Sequence, residues 1–267
     1  MAIVVNFCVS LLLTLLAVTY AHADMGLAPL RQVLSVEQPR GTFTVSNASE
    51  HIMDGRVSWV DLSATDIGYA PATPDARSHL SAAPYLMVSP AQFRLKPGER
   101  MQVEVWIKDG VEIPKGERRS HLLIETDASR TPIRKASNSG LQVDVGLGIS
   151  APVILRNGDD AKAKFTETRL LRDDQGLLML ETTIAPRGNI SSYGRLVVNF
   201  TPENAPTREL GRRENVAGFL DAPERTITVP FGFVALNAGE LELRFEGSDE
   251  FEGVLFDRRL FDVAPPD

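Results

Sequence analysis

Cysteine is almost absent from this chain. Cys8 is the only example among 267 residues. It lies in Met1–Ala23, a segment that reads as a secretory signal peptide. That segment has no basic residue near Met1. It does have a dense apolar run, Val9–Val18, and then Ala21-His22-Ala23, a small-x-small cleavage pattern before Asp24. Its removal leaves a mature chain with no cysteine. An exported protein of this kind cannot rest on disulfides or on thiolate metal sites. No later run is long and apolar enough to span a membrane.

Catalytic patterns are missing as well. There is no GxSxG elbow, no HExxH and no phosphate-binding Walker motif. His51, His79 and His121 show no metal-ligand spacing and read as surface or loop histidines. Asp159-Asp160 and Asp173-Asp174 sit in turn contexts, where solvated loops explain them better than calcium ligation or acid–base work. The net charge of -7 argues against a nucleic-acid binder. These absences predict a protein that is not an enzyme and has no cofactor, metal or small-molecule substrate.

What is present is a succession of short strand-like runs. They fall at Leu30–Ser35, Gly41–Ser46, Arg56–Leu62, Tyr85–Ser89, Met101–Lys108, Ser120–Thr126 and Leu141–Leu155. Thr42, Phe43, Thr44 and Val45 are strong strand formers, and Pro97-Gly98 is a turn dipeptide. Ser63–Pro84, rich in alanine, proline and serine, reads as a long surface loop. Asn157-Gly158-Asp159-Asp160 reads as a hinge. A second β series follows at Ala163–Leu171, Leu177–Ala185, Tyr193–Phe200, Arg225–Pro230, Glu240–Phe245 and Gly253–Val263. The expected fold is all-β: two immunoglobulin-like sandwiches joined by a short hinge. The expected domains are 24–156 and 157–267, after the signal peptide at 1–23.

The most informative stretch is Leu141–Leu155. Leu141, Val143, Val145, Leu147, Ile149, Ala151, Val153 and Leu155 form an unbroken apolar row at every second position. Gly146, Gly148 and Pro152 on the other face predict a bend or an edge position. The row is either ordinary sandwich core or a strand left partly uncovered. An uncovered one would receive a partner by strand addition.

The order of several pieces resembles the PapD-like periplasmic chaperones of chaperone–usher pilus assembly. The pieces are Arg31-Gln32-Val33-Leu34, then Asn47 and Trp59, then SPAQFRLKPGE at Ser89–Glu99. IPKGERRSHLLI at Ile113–Ile124 follows, then LQVDV from Leu141, with Arg156 closing the strand. The resemblance covers Leu30–Arg156 best. It implies a periplasmic chaperone that lends an alternating strand to incomplete pilus or fimbrial subunits and delivers them to an outer-membrane usher. Leu141, Val143 and Val145 fall on the donor positions, and Leu147 and Ile149 continue the row. Arg31 falls on the residue that anchors the subunit's terminal carboxylate. The second anchor of the family is a lysine, and this chain has Ser150 or Pro152 at that place. Arg118 and Arg156 are the candidates to line the cleft in its stead. Arg119 stands where an acid is usual in the interdomain cluster. The rival reading is an exported two-domain immunoglobulin-like binding module for a carbohydrate or surface partner.

Overall fold

Phe43 and Val103 lie directly opposite one another, both fully buried, and the first sandwich is built on such cross-strand neighbours. The computed structural model describes residues 24–127 and 146–264. The expected signal peptide, and Leu141, Val143 and Val145 of the expected donor row, lie outside the described residues.

The first half contains β1 (Met25–Ala28), β2 (Gln32–Leu34), β3 (Arg40–Asn47), β4 (Met53–Val60), β5 (Leu62–Ala64) and β6 (Tyr69–Pro71). After the helix α1 (Pro74–Leu80) come β7 (Leu86–Ser89), β8 (Gln92–Leu95), β9 (Arg100–Ile107), β10 (Gly116–Thr126) and β11 (Gly148–Asn157). A four-stranded sheet runs β1-β3-β9-β7, and a five-stranded sheet runs β2-β11-β10-β4-β8. The inner faces bury Leu34, Phe43, Val45, Val103, Val105, Leu122 and Ile124 in one core. The chain changes sheets at Pro29–Arg31, between β1 and β2, because β1 pairs with β3 while β2 runs parallel to β11.

The second half contains β12 (Ala163–Arg172), β13 (Leu178–Pro186), β14 (Ser192–Pro202), β15 (Arg208–Gly218), β16 (Arg225–Gly232), β17 (Gly239–Gly247) and β18 (Leu255–Val263). A three-stranded sheet, β12-β13-β16, faces a four-stranded sheet, β15-β14-β17-β18. Between them lies a separate core that includes Leu180, Ile184, Leu196, Val198, Phe200 and Phe245. The fold is therefore two immunoglobulin-like sandwiches, with residues 158–162 between β11 and β12.

The turn before β9 shows how one sequence motif sets local structure. Gly98 has φ 76°, which glycine adopts without the steric cost of a Cβ. Pro97 before it presets the preceding residue of the turn, and the Gly98 N–H donates to the Asn47 carbonyl at 2.9 Å. Asn47 is itself buried. Its Nδ2 donates to the carbonyls of His51 and Leu95, and its Oδ1 accepts from the Ser49 N–H at 3.0 Å.

Ser63–Pro84 is not the surface loop its composition suggests. It holds the hairpin β5–β6, α1 and a 3-10 turn at Ala83–Tyr85. Thr73 caps α1 by accepting from the Ala76 N–H at 3.2 Å, and Pro74 occupies the first turn. The segment is tied down by Ser120 of β10. The Ser120 hydroxyl accepts from the N–H groups of Ala82 and Ala83, at 3.0 and 2.9 Å, and donates to Asp61 at 2.6 Å. Such long-range bonds leave no local periodicity to read. The expected strand from Leu141 is seen from Gly148 onward.

Candidate functional site

The hairpin β5–β6 closes one side of a cleft between the sandwiches. Ala64 packs with Ala217, Phe219 and Ala222 of the second half. The Ala64 N–H donates to Asp221 at 2.7 Å. Arg119, in β10 and only 2% exposed, places Nη2 at 2.7 Å from the same Asp221 carboxylate. Its guanidinium lies 4.3 Å from the Phe219 ring centroid, a cation–π contact that adds to the ion pair.

Arg31 reaches the cleft from the sheet-switching connection. Its side chain is 9% exposed and stacks over Tyr193 at 3.6 Å. Nη2 pairs with Glu250 and lies 3.5 Å from Asp249. Nε and Nη1 have no hydrogen-bond partner among the described residues. Arg156, near the end of β11, engages all three of its guanidinium nitrogens. Nη2 and Nε donate to Glu117 at 2.9 and 3.3 Å, and Nη1 donates to Glu250 at 2.7 Å. The same Glu117 oxygen accepts from the Ser191 N–H at 3.1 Å. Glu250 therefore bridges Arg31 and Arg156. Burial alone would raise its pKa, but the two arginines outweigh burial and hold the carboxyl below its ordinary value.

Arg118, the other candidate for the cleft, lines a separate pocket with Ser63, Ser191, Leu220 and Asp221 rather than the surroundings of Arg31. Its Nη1 donates to the Ser78 carbonyl of α1 at 3.0 Å, and its guanidinium sits over Tyr85 at 5.4 Å. Leu147 and Ile149 are half-buried and pack on the first core. They lead into Ala151, Val153 and Leu155, which are buried. β10 pairs with β11 along its length, but β2 covers only Val153–Leu155 on the other side. Among the described residues, no strand pairs with that outer edge from Gly148 to Pro152. Pro152 has no N–H to offer there, as an edge position permits.

The cleft contains a pocket of about 190 Å³ beside this strand. Arg31, Tyr69, Ile154, Ser192, Phe219 and Arg225 line it. Arg31 and Arg156 thus come together through Glu250, whereas Arg118 is not brought to Arg31. Sequence reasoning missed Glu117, Asp221, Arg225 and Glu250. The last three lie far along the chain, in segments whose only readable signal is β pattern.

His121 is a correction. It is not a surface or loop histidine but is buried within β10, 2% exposed, with its ring edge-on to Tyr69 at 4.9 Å. Neither ring nitrogen has a hydrogen-bond partner among the described residues. Burial, then the charge of Arg119, lowers its pKa to about 4, so the ring is neutral at pH 7.

No family model matches the chain, and no curated protein does. Solved structures do. The chain is similar to the YadV chaperone, with 8% identity over 90% of this chain and 100% of that one, and a TM-score of 0.46. It is similar to the E. coli chaperone DraB, with 15% identity over 90% and 96% and a TM-score of 0.41. A third is the CsuC–CsuE chaperone–tip adhesion subunit pre-assembly complex of Acinetobacter baumannii, with 10% identity over 92% and 100% and a TM-score of 0.43.

Proposed function

We propose that this chain is a divergent PapD-like chaperone that works in the periplasm, binds pilus or fimbrial subunits by donor-strand complementation and passes them to an outer-membrane usher. The single observation that carries the reading is the open outer edge of β11 beside the cleft. There an alternating apolar row continues inward as core, while its early part, Leu147 and Ile149, stays half-exposed. A subunit lacking a strand can take ladder hydrogen bonds from such an edge and bury alternate side chains, each worth roughly 1.5–3 kcal/mol. The residues expected to lead that strand are Leu141, Val143 and Val145. Arg31, buried with unpartnered donors at the cleft end of the strand, suits a carboxylate that arrives with the subunit. The role needs no catalysis, since binding alone shields the incomplete subunit.

The test is co-expression with pilus subunits encoded beside this chain, followed by affinity purification from periplasm. A stable one-to-one complex is the expected result. Retention on glycans with no subunit co-purifying would instead favour the binding-module reading.

A further inference from the structure

We propose that the pocket at Arg118 is a ligand site for a small organic phosphate, one phosphate monoester head on a compact apolar body. The site is separate from the cleft at Arg31, and the inference stands whether or not the chain captures subunits.

The pocket measures about 300 Å³ and lies where the two sandwiches meet. Ala76 and Leu80 of α1, Ser63 of β5 and Arg118 of β10 form one wall. Leu220 and Asp221, between β15 and β16, stand on the other. Four charged side chains line it, and they are unequally served. Glu117 is committed to Arg156 and to the Ser191 N–H. Asp221 is committed to Arg119 and to the Ala64 N–H. Arg118 has no such counterpart. Its Nη1 donates to the Ser78 carbonyl at 3.0 Å and its guanidinium lies over the Tyr85 ring, but among the described residues no carboxylate pairs with it. Its Nε is buried without a hydrogen-bond partner among the described residues. The same is true of Nε in Arg119, whose side chain is 2% exposed. A buried donor left unpaired is costly, and two of them beside one pocket call for a group that arrives from outside.

The chemistry of these donors selects the ligand. The Nε edge of a guanidinium is one side of a fork that takes two oxygens of an oxyanion. Two such edges need more acceptor capacity than a single carboxylate brings. A phosphate monoester offers three oxygens and roughly two negative charges. Ala76, Leu80 and Leu220 are then left for the apolar body, and Leu220 is 39% exposed, open to contact. A volume of about 300 Å³ suits one small molecule rather than a length of chain. Because its walls come from both halves, a bound ligand would also tie the sandwiches together.

The experiment titrates isotope-labelled protein with phenyl phosphate, followed by NMR, with benzyl alcohol and inorganic phosphate as separate comparators. Phenyl phosphate is expected to shift the backbone amides of Ser63, Arg118 and Leu220 saturably and to raise the melting temperature. Benzyl alcohol should do neither, and inorganic phosphate should bind more weakly. Arg118→Gln should weaken binding by about tenfold, with partial recovery in Arg118→Lys. Arg118 also holds α1 through Ser78, so a second variant guards against loss of fold. Leu220→Glu, at a partly exposed position on the far wall, should keep the native melting temperature and abolish binding. Equal binding of phenyl phosphate and either comparator, or an unchanged affinity in either Arg118→Gln or Leu220→Glu, overturns the proposal. Shifts centred instead on Tyr193 and Asn215 would place the phosphate at Arg31 and overturn it too.

Discussion

Arg119 and Asp221 form an ion pair across the two sandwiches, Nη2 to Oδ2 at 2.7 Å, joining strand β10 of the first half to the turn between β15 and β16 of the second. Its partners differ greatly in exposure, 2% for the arginine side chain and 23% for the aspartate. Removing the aspartate leaves a buried guanidinium with no counter-charge. Asp221→Ala is expected to cost about 3–5 kcal/mol, near the lower end because Asp221 is partly wet. Urea unfolding measures it. The pair Arg119→Met with Asp221→Leu should lose much less, and an equally large loss in the double variant would refute the desolvation argument.

His121 predicts an acid-side loss of stability. Its pKa is about 4 when folded and 6.5 in the ordinary state. Between these values the unfolded chain binds the extra proton, so stability rises with pH across that window. The contribution is complete above pH 6.5 and is lost as pH falls to about 4, amounting to at most about 3 kcal/mol. Arg119, Asp221, Asp61 and Tyr69 are the charged and titratable groups around it. Glu250 adds a loss of the same sign at lower pH, because its folded pKa is also depressed. His121→Phe keeps a ring against Tyr69 and should flatten the stability profile between about pH 4 and 6.5. An unchanged slope would assign the acid sensitivity to other groups.

Arg31 should matter to binding more than to folding. Arg31→Ala is expected to weaken subunit capture by roughly one to two orders of magnitude, as the loss of a charge-assisted hydrogen bond does. It also removes the stack on Tyr193 and the Glu250 pair, so a stability loss of about 1 kcal/mol should accompany it. Capture at the native level, scored by co-purification, would show that the client is anchored elsewhere.

Val145 gives the sharpest test of the donor strand. A charge at this position would be buried unpaired in a complex, at a cost of several kcal/mol. Val145→Glu should abolish subunit stabilisation and leave the isolated protein folded, while Gln142→Glu, one face over, should do much less. Circular dichroism of the free variant decides the matter. An unfolded Val145→Glu would make the row ordinary core.

The legible parts of the fold were those with local period. β3 and β9 alternate cleanly, with Phe43, Val45, Val103 and Val105 inward, and they were readable as strands. β15 was not, because Arg208–Glu214 is largely charged and exposed on an edge, with nothing to alternate. β8 was too short to separate from the turn that follows it. Arg31 was readable only through a motif. Its environment was not, because Glu250 and Tyr193 approach it from the other sandwich. Arg225 opens an ordinary-looking strand, and only the fold shows that it lines the pocket beside Arg31.

The contacts across the cleft have a further consequence. Arg119 to Asp221, Arg156 to Glu250, and the Ser191 N–H to Glu117 all join the two halves through arginine or glutamate ends that are nearly dry. Mobile ions screen charges in water over about 8–10 Å, but reach a desolvated pair poorly. The elbow between the sandwiches should therefore hold its angle in dilute and concentrated salt alike. The dry end of each contact gives this joint a measure of insulation from ionic strength.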